Sequence, residues 1–410
     1  MELNEITYEE EIMVSSNHFI EEFDSDAADY IEHILTEAMR VSASDVFLTF
    51  REDYVEIAIR TMGFVRSLGK INRELGARLM SHIKATADMD VTRSLFPQDG
   101  RTNIRLKTGG NVDLRLATLP TLHGEDLAIR ILDRRQLLSI EEIGFHPTNF
   151  SRLHSIINRP CGLVLVTGPT GMGKTTTLYA ILKHLNDGTR KIHTIEDPIE
   201  FTLNGIHQSQ VNVRRGVDFP ELLRGILRQS PDIIMVGEIR DTVTADIVVR
   251  AANSGQLVFA TSHARTTVEA CEAMMVLGVQ PQFLASGLLG VITQRLIRKL
   301  CPYCKLSLTQ DEASDDVCSG NNEQIYIPFG CPQCRHTGYI GRIAVGEVLR
   351  VTREVERMIR SGASMYQIHQ RAVEEGMIGL RADAQQKLDE GMTSPDEILR
   401  AIPGNFAETF

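Results

Sequence analysis

The sequence has no tryptophan, and aromatic residues of every kind make up only 6% of it. No apolar run approaches the ~18–20 residues that a membrane span needs. The first 30 residues carry neither the basic start nor the apolar stretch of a secretory signal, so the chain reads as cytosolic. Cysteine is scarce, with seven in 410 residues. That odd, small number argues against a secreted disulfide framework and turns the question to metal. Basic residues are missing from one place only. Residues 1–39 hold twelve acids and no Lys or Arg, which leaves 42 acids against 43 bases in 40–410. The net charge of −11 therefore belongs to the first tenth of the chain. A near-neutral remainder without a basic-aromatic stripe argues against direct nucleic-acid binding. What is present, 42% apolar and 24% charged residues, is ordinary globular usage and excludes collagen-like or wholly disordered chains.

Hydrophobic spacing organises the chain. Residues 1–24 read as an acidic leader. From Ser25 or Asp26, Ala27, Ile31, Ile34, Leu35 and Ala38 recur at helical spacing. Alternating runs at 45–50, 54–60, 102–107 and 111–116, with a helix from Glu74 to about Asp88, predict a small α+β domain over 25–132. Residues 133–150, with Gly144 and Pro147, read as a linker. From 151 to 300 the texture becomes α/β. Apolar runs at 163–167, 192–195, 233–236 and 257–260 alternate with helical segments, as in a buried, mostly parallel sheet. A cysteine-bearing insert at 301–335, a helical part at 336–400 and a tail at 401–410 complete the division.

Gly168, Pro169, Thr170, Gly171, Met172, Gly173, Lys174 and Thr175 match the phosphate-binding pattern G-x-x-x-x-G-K-[ST], with Thr176 following. Glycines let successive N–H groups turn inward around a phosphate, Lys174 adds positive charge, and the Thr175 hydroxyl is placed to ligate Mg²⁺. The loop follows an apolar strand and opens a helix, the context that ATP binding requires. Glu238 lies two residues past the run 233–236 and is the candidate for polarising the attacking water. The carboxylates of 196–200 end another strand at the same edge, where they can hold Mg²⁺ waters or merely be solvated. His263 follows the run 257–260, a position equally open to a structural role.

Cys301-x-x-Cys304 and Cys331-x-x-Cys334 form two knuckles able to give one Zn²⁺ a closed tetrahedral sphere. Redox dithiols and inert buried thiols are the competing readings. Cys318 is a possible spare ligand, and Cys161 and Cys271 read as core.

Taken in order, TGPTGMGKTTTLY, IEDPIEF, PDIIMVGEIRD and GQLVFATSHA resemble the Walker A, Asp, Walker B and His boxes of the secretion ATPase superfamily. The branch they resemble drives type II secretion, type IV pilus assembly and competence pseudopili. The stretches FPQDGR, TLPTLHGE, LLRGILRQSPD and TQRLIRKLCPYC agree with it, so that the likeness spans roughly residues 25–400. It implies a hexameric ATPase with a PAS-like N-terminal domain, a RecA-like P-loop domain and a zinc insert, using ATP, Mg²⁺ and Zn²⁺. It also implies peripheral attachment to the inner face of the plasma membrane through a platform protein. By position, Glu238 becomes the Walker B glutamate and Glu200 a second catalytic carboxylate, with His263 in the His box. Arg101 and Arg115, Arg224 and Arg228, and Arg342 match arginines that contact phosphates. Phe47, Met62, Met172, Gln256, Ala264 and Arg265 depart from the family pattern, whereas Lys174, Thr175, Glu200, Glu238 and His263 are intact, so hydrolysis is expected to be retained. A RecA-like nucleic-acid motor and a nucleotide-sensing regulator with little turnover stand as alternatives.

Overall fold

The computed structural model describes residues 26–107, 110–132, 138–309 and 324–402. The leader, Cys318 and most of the tail lie outside them. The chain divides into two compact units, Met1–Gln136 and Leu137–Phe410.

The first unit runs α1 (Ala27–Arg40), β1 (Asp45–Phe50), β2 (Tyr54–Thr61), β3 (Phe64–Asn72), α2 (Arg73–Thr86), β4 (Gln98–Arg105), β5 (Asn111–Thr121) and β6 (Gly124–Leu132). Its antiparallel sheet has the order β3-β2-β1-β6-β5-β4. Helix α1 buries Ala27, Ile31, Ile34, Leu35 and Ala38, the face that the spacing predicts, although Asp26 at its N-cap makes no side-chain capping bond. Asn72 does cap α2, accepting from Leu75 N. Both helices share one core with Val46, Leu48, Val55, Ile57, Leu114, Leu116, Leu127 and Ile129 of the sheet. One charged pair is buried there, Lys84 Nζ to Glu125 Oε2 at 2.9 Å. The strand register aligns Arg101, Arg115, Arg130, Asp45 and Arg60 in a single cross-strand row. Asp45, itself buried, pairs with Arg130 at 3.1 Å and Arg60 at 3.5 Å. Met62 occupies a left-handed turn at φ 50°, a conformation that Asp, Asn or Gly adopts with less strain.

The second unit is α/β. In order it holds α3 (Pro147–Ile157), β7 (Gly162–Thr167), α4 (Lys174–Leu185), β8 (Ile192–Glu196), β9 (His207–Gln210), α5 (Phe219–Leu227), β10 (Ile233–Val236), α6 (Thr242–Asn253), β11 (Leu257–Ser262), α7 (Thr267–Val276), α8 (Pro281–Gly287) and β12 (Leu288–Leu300). The ribbon β13 (Leu306–Thr309) and β14 (Gln324–Ile327), the long strand β15 (Tyr339–Arg350) and four helices follow, α9 (Arg353–Ser361), α10 (Met365–Glu374), α11 (Leu380–Asp389) and α12 (Pro395–Ala401). The seven-stranded sheet has the order β15-β12-β7-β11-β10-β8-β9. Only β15 runs antiparallel, along β12. The central strands are apolar without alternation because both faces are covered. Leu163 and Leu165 pack with Val248 and Val268, whereas Val164 and Val166 pack with Leu178, Ile181 and Ile156.

Two segments differ from their sequence reading. Ile140, Ile143 and Phe145, inside the expected linker, are buried in the core of the second unit. The intervening Glu141, Glu142 and Gly144 hide that spacing. The part expected to be helical from 336 begins instead with β15, whose exposed first half masks its buried second half. Cys271 is fully buried, as core placement expects, but Cys161 is only half-buried at the entry to β7.

Candidate active site

In a parallel sheet the strand ends on one edge deliver their following residues to a common place. Here Thr167, Ser262 and Thr293 are aligned across β7, β11 and β12, and Val236 lies beside Ala260 and Ile195. The P-loop leaves β7, His263 leaves β11, Glu238 follows β10, and Glu196 ends β8, so all four reach the same edge.

Three glycines of the P-loop, Gly168, Gly171 and Gly173, have positive φ, and two of them are also hemmed in by β12. A Cβ on Gly168 (φ 139°) would lie 2.6 Å from the Gln294 carbonyl oxygen. Gly173 (φ 80°) forms the N-cap of α4 and would crowd the Gln294 amide at 3.2 Å. Lys174 Nζ donates to the carbonyls of Gly168 (2.6 Å) and Pro169 (3.2 Å). Burial lowers the pKa of its ammonium, while the Glu238 carboxylate works in the opposite sense. Thr175 and Thr176 stand half-buried in the first turn of α4. The Met172 sulfur accepts from Leu296 N at 3.4 Å, a packing role for a side chain that the backbone cradle does not need.

Glu238 is clamped from both sides. Arg240 Nη2 approaches Oε2 at 2.5 Å, and His263 Nε2, carrying the proton, donates to Oε1 at 2.5 Å. Burial alone would raise the Glu238 carboxyl, but hydrogen bonds from Arg240 and His263 outweigh it and hold the group below the ordinary glutamate range. The carboxylate is therefore kept ionised beside the P-loop lysine.

Among the strand-end acids, Glu196 is committed elsewhere. It is 3% exposed and accepts from Tyr179 Oη, from Thr194 Oγ1 (2.6 Å) and from Gln208 Nε2 (3.1 Å). Burial raises its pKa, and the three neutral donors offset only part of that effect. It ties α4 to β8 and β9; of the neighbouring acids, Asp197 is exposed and Glu200 half-buried.

Gln294 is a residue that motif reasoning missed. It is 1% exposed, donates to Met172 O (2.6 Å) and accepts from Thr177 Oγ1 (2.8 Å), so it pins the P-loop to the first turns of α4. A polar residue among the apolar positions of β12 was the available signal. Replacing Gln294 with Ala removes two hydrogen bonds worth about 1 kcal/mol each and leaves a buried threonine hydroxyl unpaired. The expected result is a roughly tenfold higher KM for ATP with a smaller change in kcat, read by steady-state phosphate release.

Of the arginines, Arg101 and Arg115 face each other across β4 and β5 in the first unit. Arg224 lies on α5, 3.8 Å from Glu221, and Arg228 forms that helix's C-cap. Arg342 is exposed on β15 opposite Arg298. No ion pair or hydrogen bond joins Arg224, Arg228 or Arg342 to Glu238 or the P-loop among the described residues.

At the far end of β12 the four knuckle cysteines converge. Cys301 and Cys331 Sγ are 3.8 Å apart, Cys304 and Cys334 3.7 Å, and Cys331 and Cys334 3.8 Å, with all four within 4.8 Å of one another. A regular tetrahedron with zinc–sulfur arms of ~2.3 Å has corners about 3.8 Å apart. A disulfide would need its sulfurs at about 2.05 Å, so the spacing is that of ligands to one ion. Backbone amides of Gly330 (3.3 Å), Cys331 (3.1 Å) and Gly338 (3.2 Å) aim at the sulfurs of Cys304, Cys334 and Cys334, as thiolates require. The donor set fits Zn²⁺.

The family described as Type II/IV secretion system protein matches residues 21–400. The Type II secretion system ATPase E of Vibrio cholerae is 38% identical over 395 residues, covering 95% of this chain and 78% of that protein. The putative type II secretion system protein E of Escherichia coli is 40% identical over 374 residues, covering 90% and 76%. Among solved structures, the Legionella pneumophila ATPase DotB aligns with a TM-score of 0.67 at 20% identity, over 92% of this chain and 96% of that one. The pilus retraction motor PilT with bound ADP aligns at 0.56 and 23% identity, over 90% and 99%. At these identities the two structures speak for a shared fold.

Proposed function

We propose, on the premise that this chain belongs to the type II/IV secretion system protein family and is an ATPase, that it is the hexameric motor of a type IV pilus or a type II secretion or competence pseudopilus. The observation that carries this reading is the convergence of the P-loop, Glu238 and His263 on one edge of the sheet. In it the first unit is PAS-like and the second RecA-like. P-loop amides and Lys174 hold the β- and γ-phosphates of ATP. The Thr175 hydroxyl is the residue that would hold Mg²⁺, which neutralises charge on the phosphates. Glu238, kept ionised by Arg240 and His263, orients and polarises the attacking water, with Glu200 as a second carboxylate. A depressed pKa makes Glu238 a weak proton acceptor, and phosphoryl transfer needs positioning more than early deprotonation. Arg101, Arg115, Arg224, Arg228 and Arg342 contact phosphates when units or subunits close, which couples hydrolysis to rigid-body motion. The motor works at the cytoplasmic face of the inner membrane, against a platform protein, with the Cys301–Cys304–Cys331–Cys334 zinc centre structural. No described helix is long and apolar enough to cross a membrane.

The test is phosphate release by purified protein sorted by size. Mg²⁺-dependent turnover concentrated in the hexamer fraction, raised by a platform protein's cytoplasmic fragment and indifferent to single-stranded DNA, is the expected result. Stimulation by single-stranded DNA that collapses with added salt would replace it with the nucleic-acid motor.

A further inference from the structure

Arg295 is a buried cation with an unusual set of partners. It is 6% exposed, and it lies two residues beyond Thr293, the position of β12 level with the end of β7. Its Nη1 contacts the Gln294 carbonyl at 3.3 Å and its Nη2 donates to the Arg265 carbonyl at 3.2 Å. A Cβ on Gly168 would stand 3.4 Å from Nη1. No described carboxylate forms an ion pair with it; Glu269 and Glu347 act on it only at longer range, against the opposing charges of Arg265 and Lys174. Burying a guanidinium without a contacting carboxylate costs several kcal/mol. Its planar fork supplies what an apolar side chain in the same place lacks, namely donors aimed in two fixed directions.

Those directions join the Gln294 carbonyl of β12, against which Gly168 packs, to the main chain two residues after His263. Other contacts hold the same segment. Thr167 Oγ1 donates to Ala264 O at 2.7 Å, Ser262 Oγ lies 3.1 Å from Thr167 Oγ1, and Arg265 N donates to Glu269 Oε2 at 2.9 Å. Thr167 ties that segment to the start of the P-loop, and Arg295 ties it to β12.

We propose that Arg295 is a positioning residue that locks the His263 segment onto the part of β12 backing the P-loop, so that His263 meets Glu238 in the geometry that orients water. This rests on the role given above to Glu238 and His263. Because Arg295 acts through His263, its loss and the loss of His263 overlap. Arg295→Gln lowers kcat at least tenfold with the KM for ATP within about threefold of wild type. Combining it with His263→Asn costs no more than about threefold beyond the worse single variant, because residues acting as a unit are not additive. Losses that multiply in the double variant, or a raised KM at unchanged kcat, would overturn the proposal. Unaltered kcat in His263→Asn alone would instead remove His263 from the mechanism, a separate failure visible in that single variant. If Arg295→Gln does not fold, Arg295→Lys takes its place in the same cycle. It keeps the charge but not the fork, and wild-type kcat there would equally sink the proposal.

Discussion

Glu238→Gln lowers the turnover of ATP by about 10²–10⁴-fold while leaving nucleotide binding within a few-fold of wild type. Gln keeps the size and shape of the side chain but removes the charge that sits between Arg240 Nη2 and His263 Nε2, each at 2.5 Å. In the proposed mode the phosphates are held by P-loop amides and Lys174, to which Glu238 makes no hydrogen bond, so binding survives. A 100-fold loss corresponds to about 2.7 kcal/mol of transition-state stabilisation, well beyond what one exposed hydrogen bond supplies. Phosphate release and ADP binding by the same preparation read the two effects separately. Equally slow release by wild type and variant would make the chain a nucleotide-sensing regulator. The sign of the pH dependence follows from the clamp. Glu238 has a folded-state pKa below its unfolded one, so the stability contributed by the clamp is present above the unfolded value and is lost as pH falls through the folded value. The acid limb of the rate profile therefore lies below the ordinary glutamate range.

Purified protein carries one zinc per chain, and Cys301→Ser carries less than about half an equivalent. The sulfur spacing of 3.7–3.8 Å leaves a pocket of zinc size, and three amides already point at the sulfurs. Structural zinc binds zinc-finger peptides with apparent energies of roughly 10–16 kcal/mol. That figure is an upper bound here, because β12 and β15 pair along most of their length without help from the metal. A loss of about 3 kcal/mol is the more reasonable scale, or roughly 6–12 °C in the melting of a unit this large. Metal analysis and thermal unfolding with and without a chelator measure both quantities. A full complement of zinc in Cys301→Ser, or unchanged melting after chelation, would contradict the ligand assignment.

Much of this molecule could be read from its sequence, and what could not has a physical cause. The strands β7, β10 and β11 were legible because burial on both faces leaves them mostly apolar, whereas β8 keeps His193, Thr194 and Glu196 among its buried positions. P-loop glycines were legible because the backbone there tolerates little else. Strand β12 was not, since its buried positions include Thr293, Gln294 and Arg295; Gln294 holds the P-loop and Arg295 the His263 segment. In the first unit, β6 was hidden by Glu125, an inward-facing acid neutralised by Lys84 from another element. Spacing alone cannot reveal a charge whose partner lies 41 residues away. Arg240 carries no signal in the sequence for the opposite reason. It is exposed, and only the 2.5 Å approach to Glu238 distinguishes it from a solvated surface arginine.

The cysteine cluster also bears on the order in which the second unit can assemble. Strand β12 ends at Leu300 and its antiparallel partner begins at Tyr339, so the two form a hairpin whose connecting loop is roughly 40 residues long. Closing a loop of that length costs entropy before any strand pairing repays it, and such non-local pairings are slow to form. Cys301 is the first residue after β12, and Cys334 lies five residues before β15. An ion gripping both would cut the effective loop to a handful of residues and turn a distant pairing into a local one. The strand so recruited, β15, pairs along β12, which carries Gln294 and Arg295 to the P-loop. Metal capture during synthesis would then fix when the nucleotide site can form, as well as how stable it is afterwards.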